Sequence, residues 1–205
     1  MRTVEVTPGV FVATAHGYAA IVDTAPAHSV DHPDVAGLPA WRALERLAGR
    51  ALLRRLLAVV EPAVAGVALV AAANGKPALA GHPGIGVNIS HDDGTVAACV
   101  GLGRAVGVDV QSPPAEAGDG LVRRCAPTHA ARLRALEPAA RASALAWIWT
   151  VQEACVKATG AGLAGRPWAV EVPLDAHGGR WRHLRWHRLP DLSDTPLSCA
   201  WTEER

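Results

Sequence analysis

The sequence predicts an α+β fold, in which short antiparallel strands pack with amphipathic helices. Three apolar runs follow one another with only turn-like links between them, at Gly86–Ser90, Thr95–Gly101 and Val106–Val110. Consecutive strands joined by tight turns pair antiparallel, which argues against a doubly wound parallel sheet. Half of the 205 residues are hydrophobic and 19% are charged, a composition typical of a folded globular protein. The length suits one compact domain or two small halves that share a core.

The first part of the chain combines short strands with one helix. Apolar runs near Gly and Pro predict three short strands, at Val4–Val6, Val10–Ala13 and Ala19–Val22. From Leu44 to Leu56 the apolar residues recur at three- and four-residue steps, which predicts an amphipathic helix that Pro62 ends. The apolar run Gly66–Ala73 predicts a further strand, and Asn74-Gly75 predicts the turn after it.

The second half also mixes helix and strand. After a loop at Pro113–Gly120, a helical pattern spans Thr128–Thr159 with an interruption near Pro138. Glycines from Gly160 onward end this helix. The tail predicts three extended segments, at Trp168–Val172, Trp181–His187 and Leu197–Trp201.

The net charge and the cysteines predict which partners and which cellular compartment the protein has. A formal net charge of +1 provides no strong field for nucleic acid or an anionic membrane, so we expect neither as a partner. The four cysteines form no C-x-x-C pair, and Met1–Val10 does not resemble a secretory signal, so we expect a reduced cytoplasmic setting. Arginines nevertheless cluster locally, at Arg42, Arg46, Arg50, Arg54 and Arg55, and at Arg123, Arg124, Arg132 and Arg134.

Asp109 lies near the end of the apolar strand Val106–Val110, where an acid is costly to bury without a cation or hydrogen-bond donors. With the two-residue period of a strand, Asp109 shares a face with Gln111. The side chain has two interpretations, a strand-end cap of the following loop or a ligand of a hard cation such as Mg²⁺.

Glu153 and Lys157 are four residues apart on the second predicted helix, so one helical face presents an acid and a base. An ordinary surface ion pair is one interpretation. The neighbours Ala154, Cys155 and Val156 are apolar, and Trp149 lies one turn earlier on the same side. These neighbours favour a partly buried pair.

Polar residues at the end of another predicted strand, Asn88-Ile89-Ser90-His91, suit the binding of phosphate. Ser90 and His91 can donate hydrogen bonds to phosphate oxygens, and Lys76 provides a positive charge a short distance upstream. A nucleophilic Ser90–His91 pair is the alternative. Adjacent strand residues point to opposite faces, however, and the sequence has no G-x-S-x-G motif.

Taken together, these segments resemble the 4'-phosphopantetheinyl transferases of the Sfp type. The resemblance depends on the order and spacing of four motifs across about residues 40 to 172, with Leu47–Arg54 similar to the family's first characteristic helix. The motifs are Gly75-Lys76-Pro77, Asn88-Ile89-Ser90-His91, Gly107-Val108-Asp109-Val110 and Trp149-Thr150-x-x-Glu153-Ala154-x-x-Lys157-x-x-Gly160-x-Gly162.

The resemblance implies two pseudo-symmetric α+β halves, near residues 1–105 and 106–205, each a small antiparallel sheet packed with helices. Coenzyme A and Mg²⁺, with Mn²⁺ as an alternative ion, would bind in the cleft between them. The nucleotide contacts implied for the N-terminal half come from Lys76, Ser90, His91, Arg46, Arg50 and Arg54, with the 3'-phosphate held by the first three.

In the C-terminal half, the resemblance assigns Asp109 and Glu153 to Mg²⁺ and to catalysis, and Lys157 to the phosphates and the leaving group. Gln111 stands where many relatives have Glu, so it would bind the metal as a neutral and weaker ligand. Two further departures are Gln152 in place of Lys and His129 in the region of another Glu.

The activity implied is that of a holo-acyl-carrier-protein synthase. It would move 4'-phosphopantetheine from coenzyme A to a serine of an apo acyl or peptidyl carrier protein and release 3',5'-ADP. The length and motifs favour the branch that serves polyketide and nonribosomal peptide synthesis, and we expect a monomer. Two alternatives are a regulator that binds coenzyme A or the carrier with weak or no transferase activity, and an unrelated nucleotide-binding enzyme.

Overall fold

The computed structural model of the protein describes residues 1–24, 31 and 35–203, and it has two antiparallel sheets. The elements of the first sheet and its helices are β1 (Arg2–Thr7), β2 (Val10–His16), α1 (Tyr18–Thr24), α2 (Ala40–Val60), β3 (Leu69–Ala71), β4 (Pro77–Leu79), β5 (Ile85–Asp92) and β6 (Thr95–Leu102). The strand order is β1-β2-β6-β5-β4-β3, and the sheet packs against α2.

The elements of the second sheet and its helices are β7 (Val106–Val110), α3 (Asp119–Cys125), α4 (Ala130–Arg134), α5 (Pro138–Thr159), β8 (Gly178–Trp181), β9 (Leu184–Arg188) and β10 (Leu197–Thr202). The strand order is β7-β10-β9-β8, which leaves β7 at one edge. The predicted α+β class with mainly antiparallel sheets is confirmed.

The alternation of side chains along the strands produces four layers. In β6, Val96, Ala98 and Val100 pack in one cluster with α2, whereas Ala97 and Cys99 pack with residues of β7 and β10 in another. A third cluster joins the other face of the second sheet to α5. The order is therefore α2, first sheet, second sheet, α5, with a core at each contact.

Two glycines set the position of α5. A Cβ at Gly107 on β7 would lie 2.1 Å from the carbonyl oxygen of Ala154, so a side chain there would push α5 away. Gly160 follows the helix with φ of 72°, and its Cβ would lie 2.1 Å from Asn74 Nδ2. The end of α5 therefore fits against the turn between β3 and β4 of the first half.

Several predicted elements differ from the structure. Ala19–Val22, predicted as a strand, lies within helix α1, where only Ile21 is buried. A four-residue apolar run does not distinguish a strand from a short helix with one buried face. The strand at Gly66–Ala73 shrinks to β3, and Trp168–Val172 begins in a 3-10 turn instead of a strand.

The segment Trp181–His187, predicted as one extended run, is a hairpin. The chain reverses at Arg182, whose φ of 55° is left-handed, between β8 and β9. Within the described part of the chain, no helix is both long and apolar enough to cross a membrane.

Candidate active site

Asp109 lies on the edge strand β7 with its carboxylate buried between β5 and α5. One oxygen, Oδ1, accepts hydrogen bonds from Lys157 Nζ at 2.5 Å and from Ser90 Oγ at 2.9 Å. The other oxygen, Oδ2, is buried and has no hydrogen-bond partner among residues 1–24, 31 and 35–203. Burial raises the pKa of Asp109, while Lys157 and Ser90 oppose that rise.

Glu153 lies on α5, one turn before Lys157. Its Oε1 atom is also buried, and none of the described residues gives it a hydrogen bond. Burial raises the pKa of Glu153, the negative charge of Asp109 raises it further, and Lys157 lowers it. The two acids are therefore close enough to repel each other, with the charge of one lysine beside them.

This pair of acids fits a divalent cation. Each carboxylate has one buried oxygen without a hydrogen bond, and a shared cation would satisfy both and remove their repulsion. In the part of the chain that the structure describes, no three His, Cys, Asp or Glu side chains gather as a metal-binding group. The protein would thus contribute two acids, and Mg²⁺ commonly takes one or two carboxylates and completes its shell with phosphate oxygens and water.

Three side chains of β5 hold the free edge of β7. Asn88 Oδ1, Ser90 Oγ and Asp92 Oδ2 accept hydrogen bonds from the backbone N–H groups of residues 108, 110 and 112, at 3.0, 3.4 and 2.7 Å. The offset is 20 residues in each case, so the side chains form a regular ladder in place of a neighbouring strand. The ladder fixes β7, and with it Asp109, against the first half of the chain.

The opposite face of β5 lines a cavity of about 500 Å³ between α2 and the β3–β4 hairpin. His91 lies on this face, with Nδ1 4.0 Å from Glu45 Oε2. The cavity wall is mixed apolar and basic, and it includes Arg46, Arg50, Val70, Pro77 and His91. Its size and its basic groups suit a nucleotide that carries phosphates.

Lys76 connects the two halves beside this cavity. Its Nζ donates a hydrogen bond at 2.9 Å to the carbonyl oxygen of Ala158, in the last turn of α5. Burial lowers the pKa of Lys76. A cation at the C-terminus of a helix is favourable, because the last carbonyl groups there lack partners within the helix.

Residues 105–204 match the family model described as the 4'-phosphopantetheinyl transferase superfamily. The chain contains a domain of this superfamily. The match includes β7 and α5, which hold Asp109, Glu153 and Lys157. A search of curated proteins found no match. The match supports a phosphopantetheinyl transferase activity for this part of the chain.

The arginines expected to bind the nucleotide differ in their surroundings. Arg54 donates two hydrogen bonds to Asp31, at 2.5 and 2.7 Å, and two more to the carbonyl oxygens of Ala65 and Val67. Arg50 pairs with the same Asp31 at 2.9 Å and also lines the cavity, as does Arg46. The sequence does not predict a role for Asp31, because the Pro-rich segment in which it lies has no regular period.

The three departures from the superfamily pattern lie in different places. Gln111 follows the last residue of β7 and lines a small apolar cavity of about 170 Å³ with Trp149. Gln152 is buried and donates hydrogen bonds to the carbonyl oxygens of Cys125 and Val170, so it joins α3 to the segment after α5. His129 lines a separate cavity beside Trp168.

Proposed function

We propose that this transferase moves 4'-phosphopantetheine from coenzyme A to a serine of an apo acyl or peptidyl carrier protein, releasing 3',5'-ADP, with Mg²⁺ or Mn²⁺ as cofactor. The observation that supports this proposal best is the pair of buried carboxylate oxygens, Asp109 Oδ2 and Glu153 Oε1, beside Lys157. Both the transferred group and the leaving group are anionic, so an acidic pair without a cation would repel them.

Asp109 and Glu153 would hold the cation, with Gln111 as a neutral third ligand. When bound, Mg²⁺ supplies charge neutralisation for the diphosphate of coenzyme A. Lys157 lies against Asp109, where its ammonium group can neutralise charge that grows on the leaving phosphate. Glu153 is the group best suited to take the proton of the carrier serine as that oxygen attacks the β-phosphorus of coenzyme A.

The nucleotide end of coenzyme A would occupy the cavity between α2 and the β3–β4 hairpin. His91, Arg46 and Arg50 can contact its phosphates from the cavity wall, and Lys76 lies where the hairpin meets α5. Arg54 would act through Asp31 by holding Arg50 in place. This arrangement would put the diphosphate between the two halves of the chain.

The carrier would dock on a basic surface near α3 and α4, formed by Arg123, Arg124, Arg132 and Arg134. Acidic neighbours partly neutralise this surface, because Asp119 pairs with Arg134 at 3.0 Å and Asp175 pairs with Arg132 at 3.0 Å. Arg124 lies over the ring of Trp168, 4.6 Å from its centroid. Reversing the charges of Arg123 and Arg124 should weaken carrier modification more than coenzyme A binding. Equal losses of both would contradict the docking surface.

The function is tested by incubating the protein with coenzyme A, Mg²⁺ and an apo carrier protein, and then measuring the mass of the carrier. The proposal predicts a gain equal to one phosphopantetheine on the serine, dependent on the metal. The matched control is Glu153→Gln, which keeps the shape of the side chain and removes its charge. Coenzyme A binding without a mass gain would favour the regulator, if it holds with Mg²⁺ and with Mn²⁺ and for carriers of fatty-acid, polyketide and nonribosomal peptide synthesis.

A further inference from the structure

The hydroxyl group of Ser90 lies between β5, β7 and α5, in the ladder that holds the edge of β7. It donates to Asp109 Oδ1 at 2.9 Å and accepts from Lys157 Nζ at 3.0 Å and from the Val110 N–H at 3.4 Å. A serine hydroxyl has one proton to donate and two lone pairs to accept with. All three positions are filled by protein groups.

A phosphate ligand requires a different arrangement. Phosphate oxygens accept hydrogen bonds, so Ser90 would have to withdraw its proton from Asp109 to bind one. The buried carboxylate of Asp109 would then have one hydrogen bond fewer. This loss would destabilise the folded protein, because a buried charge without partners is costly. His91, the next residue, faces the nucleotide cavity on the other side of the strand.

We infer that Ser90 is a positioning residue for the cation site and is not a ligand of the 3'-phosphate of coenzyme A. Its hydroxyl and Lys157 together occupy Oδ1 of Asp109, which fixes the carboxylate and leaves Oδ2 for the cation. This inference rests on the proposed metal-dependent function. It differs from the family resemblance, which implies that Ser90 and His91 hold the same phosphate.

The effect of removing the hydroxyl follows from this geometry. Ser90→Ala leaves Asp109 held by Lys157 alone, so the carboxylate can rotate about its side-chain bonds. Loss of a group that orients a metal ligand typically weakens metal binding by about 10- to 100-fold. Because Lys157 remains, we expect the lower end of that range, about tenfold weaker binding of Mn²⁺.

The experiment measures two affinities for each variant. The affinity for Mn²⁺ is measured by electron paramagnetic resonance of the free ion, without coenzyme A. The affinities for coenzyme A and for 3'-dephospho-coenzyme A are measured by calorimetry in metal-free buffer. Their ratio reports recognition of the 3'-phosphate alone.

Two variants serve as controls. Asn88→Ala removes the neighbouring step of the ladder, at a residue as buried as Ser90, and leaves Asp109 with both of its donors. It should lose stability and keep the Mn²⁺ affinity of the unaltered protein. His91→Ala should keep the Mn²⁺ affinity and lose the preference for coenzyme A over its 3'-dephospho form.

The positioning role predicts that Ser90→Ala loses Mn²⁺ affinity about tenfold and keeps the 3'-phosphate preference within about twofold. Unchanged Mn²⁺ affinity together with a lost preference would overturn the inference and support the phosphate role. An equal loss of Mn²⁺ affinity in Asn88→Ala would also overturn it, because general loosening of β7 would then suffice. Failure of the unaltered protein to bind Mn²⁺ would instead contradict the proposed metal site itself.

Discussion

Replacing Lys157 by Met should destabilise the protein, and Mg²⁺ should restore part of the lost stability. The substitution keeps the length and apolar stem of the side chain but removes the cation that lies 2.5 Å from Asp109 Oδ1. Breaking a buried ion pair costs about 3–5 kcal/mol. Because 27% of the Lys157 side chain is exposed, we expect about 2–3 kcal/mol at pH 8. For a chain of this size that loss lowers Tm by about 5–10 °C.

The size of the stabilisation by Mg²⁺ distinguishes loss of the Asp109–Lys157 ion pair from a general loss of stability. At free Mg²⁺ about ten times its Kd, binding stabilises the unaltered protein by roughly 1.4 kcal/mol. In Lys157→Met the two acids lack a competing ammonium group, while Ser90 still holds Asp109 Oδ1. Mg²⁺ should therefore bind about tenfold tighter and stabilise the variant by roughly 2.7 kcal/mol. The assay is urea unfolding with and without Mg²⁺.

Lys76→Met is the matched control for this assay, since Lys76 is also partly buried but donates to a backbone carbonyl instead of a carboxylate. Lys76→Met should be less stable than the unaltered protein, and Mg²⁺ should stabilise both by the same amount. Equal Mg²⁺-dependent gains in the unaltered protein and in Lys157→Met would refute the reasoning.

Three further predictions follow from the site and its surroundings. Glu153→Gln should lower the transfer rate by about 10²–10⁴-fold with unchanged metal-free coenzyme A affinity; a rate within tenfold of the original would exclude Glu153 as the base. Gln111→Glu should tighten Mn²⁺ binding about tenfold by adding a charged ligand, and unchanged affinity would remove Gln111 from the ligand set. Asp31→Asn should destabilise the protein by about 3 kcal/mol at pH 7 by removing the buried carboxylate that pairs with Arg50 and Arg54.

The destabilisation expected of Asp31→Asn has a defined pH dependence. Burial alone would raise the pKa of Asp31, but hydrogen bonds from Arg54 and Arg50 bring it below its usual value of 3.8. A lowered pKa in the folded state means that this stabilisation is complete above the unfolded value and is lost as pH falls through the folded value. The gap in unfolding free energy between the unaltered protein and Asp31→Asn should therefore be constant from neutral pH down to about 5 and narrow below 3.8. A gap that widens in acid would contradict the assignment.

The sequence was most informative where side-chain periodicity and motif spacing coincide. The steps of three and four from Leu44 to Leu56 predicted the helix that became α2, and the four-residue spacing of Glu153 and Lys157 placed both on α5. The three apolar runs between Gly86 and Val110 became β5, β6 and β7. Local pattern predicts these elements, because a helix or strand that buries one face repeats its apolar residues at the same spacing wherever it lies in the fold.

Contacts between distant segments were not predictable from local pattern. The ladder from β5 to β7 requires the two sheets to pack with a 20-residue offset, and nothing local in Asn88, Ser90 or Asp92 specifies that offset. The pairing of Asp31 with Arg50 and Arg54 spans 19 and 23 residues, across a Pro-rich segment without a regular period. The prediction of a strand at Ala19–Val22 was wrong for a third reason, because a run of four apolar residues is too short to define a period.

The claim that Asp109 and Glu153 share one divalent ion is tested most directly by an anomalous difference map from a crystal soaked with Mn²⁺ and coenzyme A. We predict a single manganese peak in contact with Asp109 Oδ2, Glu153 Oε1 and oxygens of the diphosphate. Manganese bound to only one of the two acids, or a diphosphate bound away from both, would contradict the shared site.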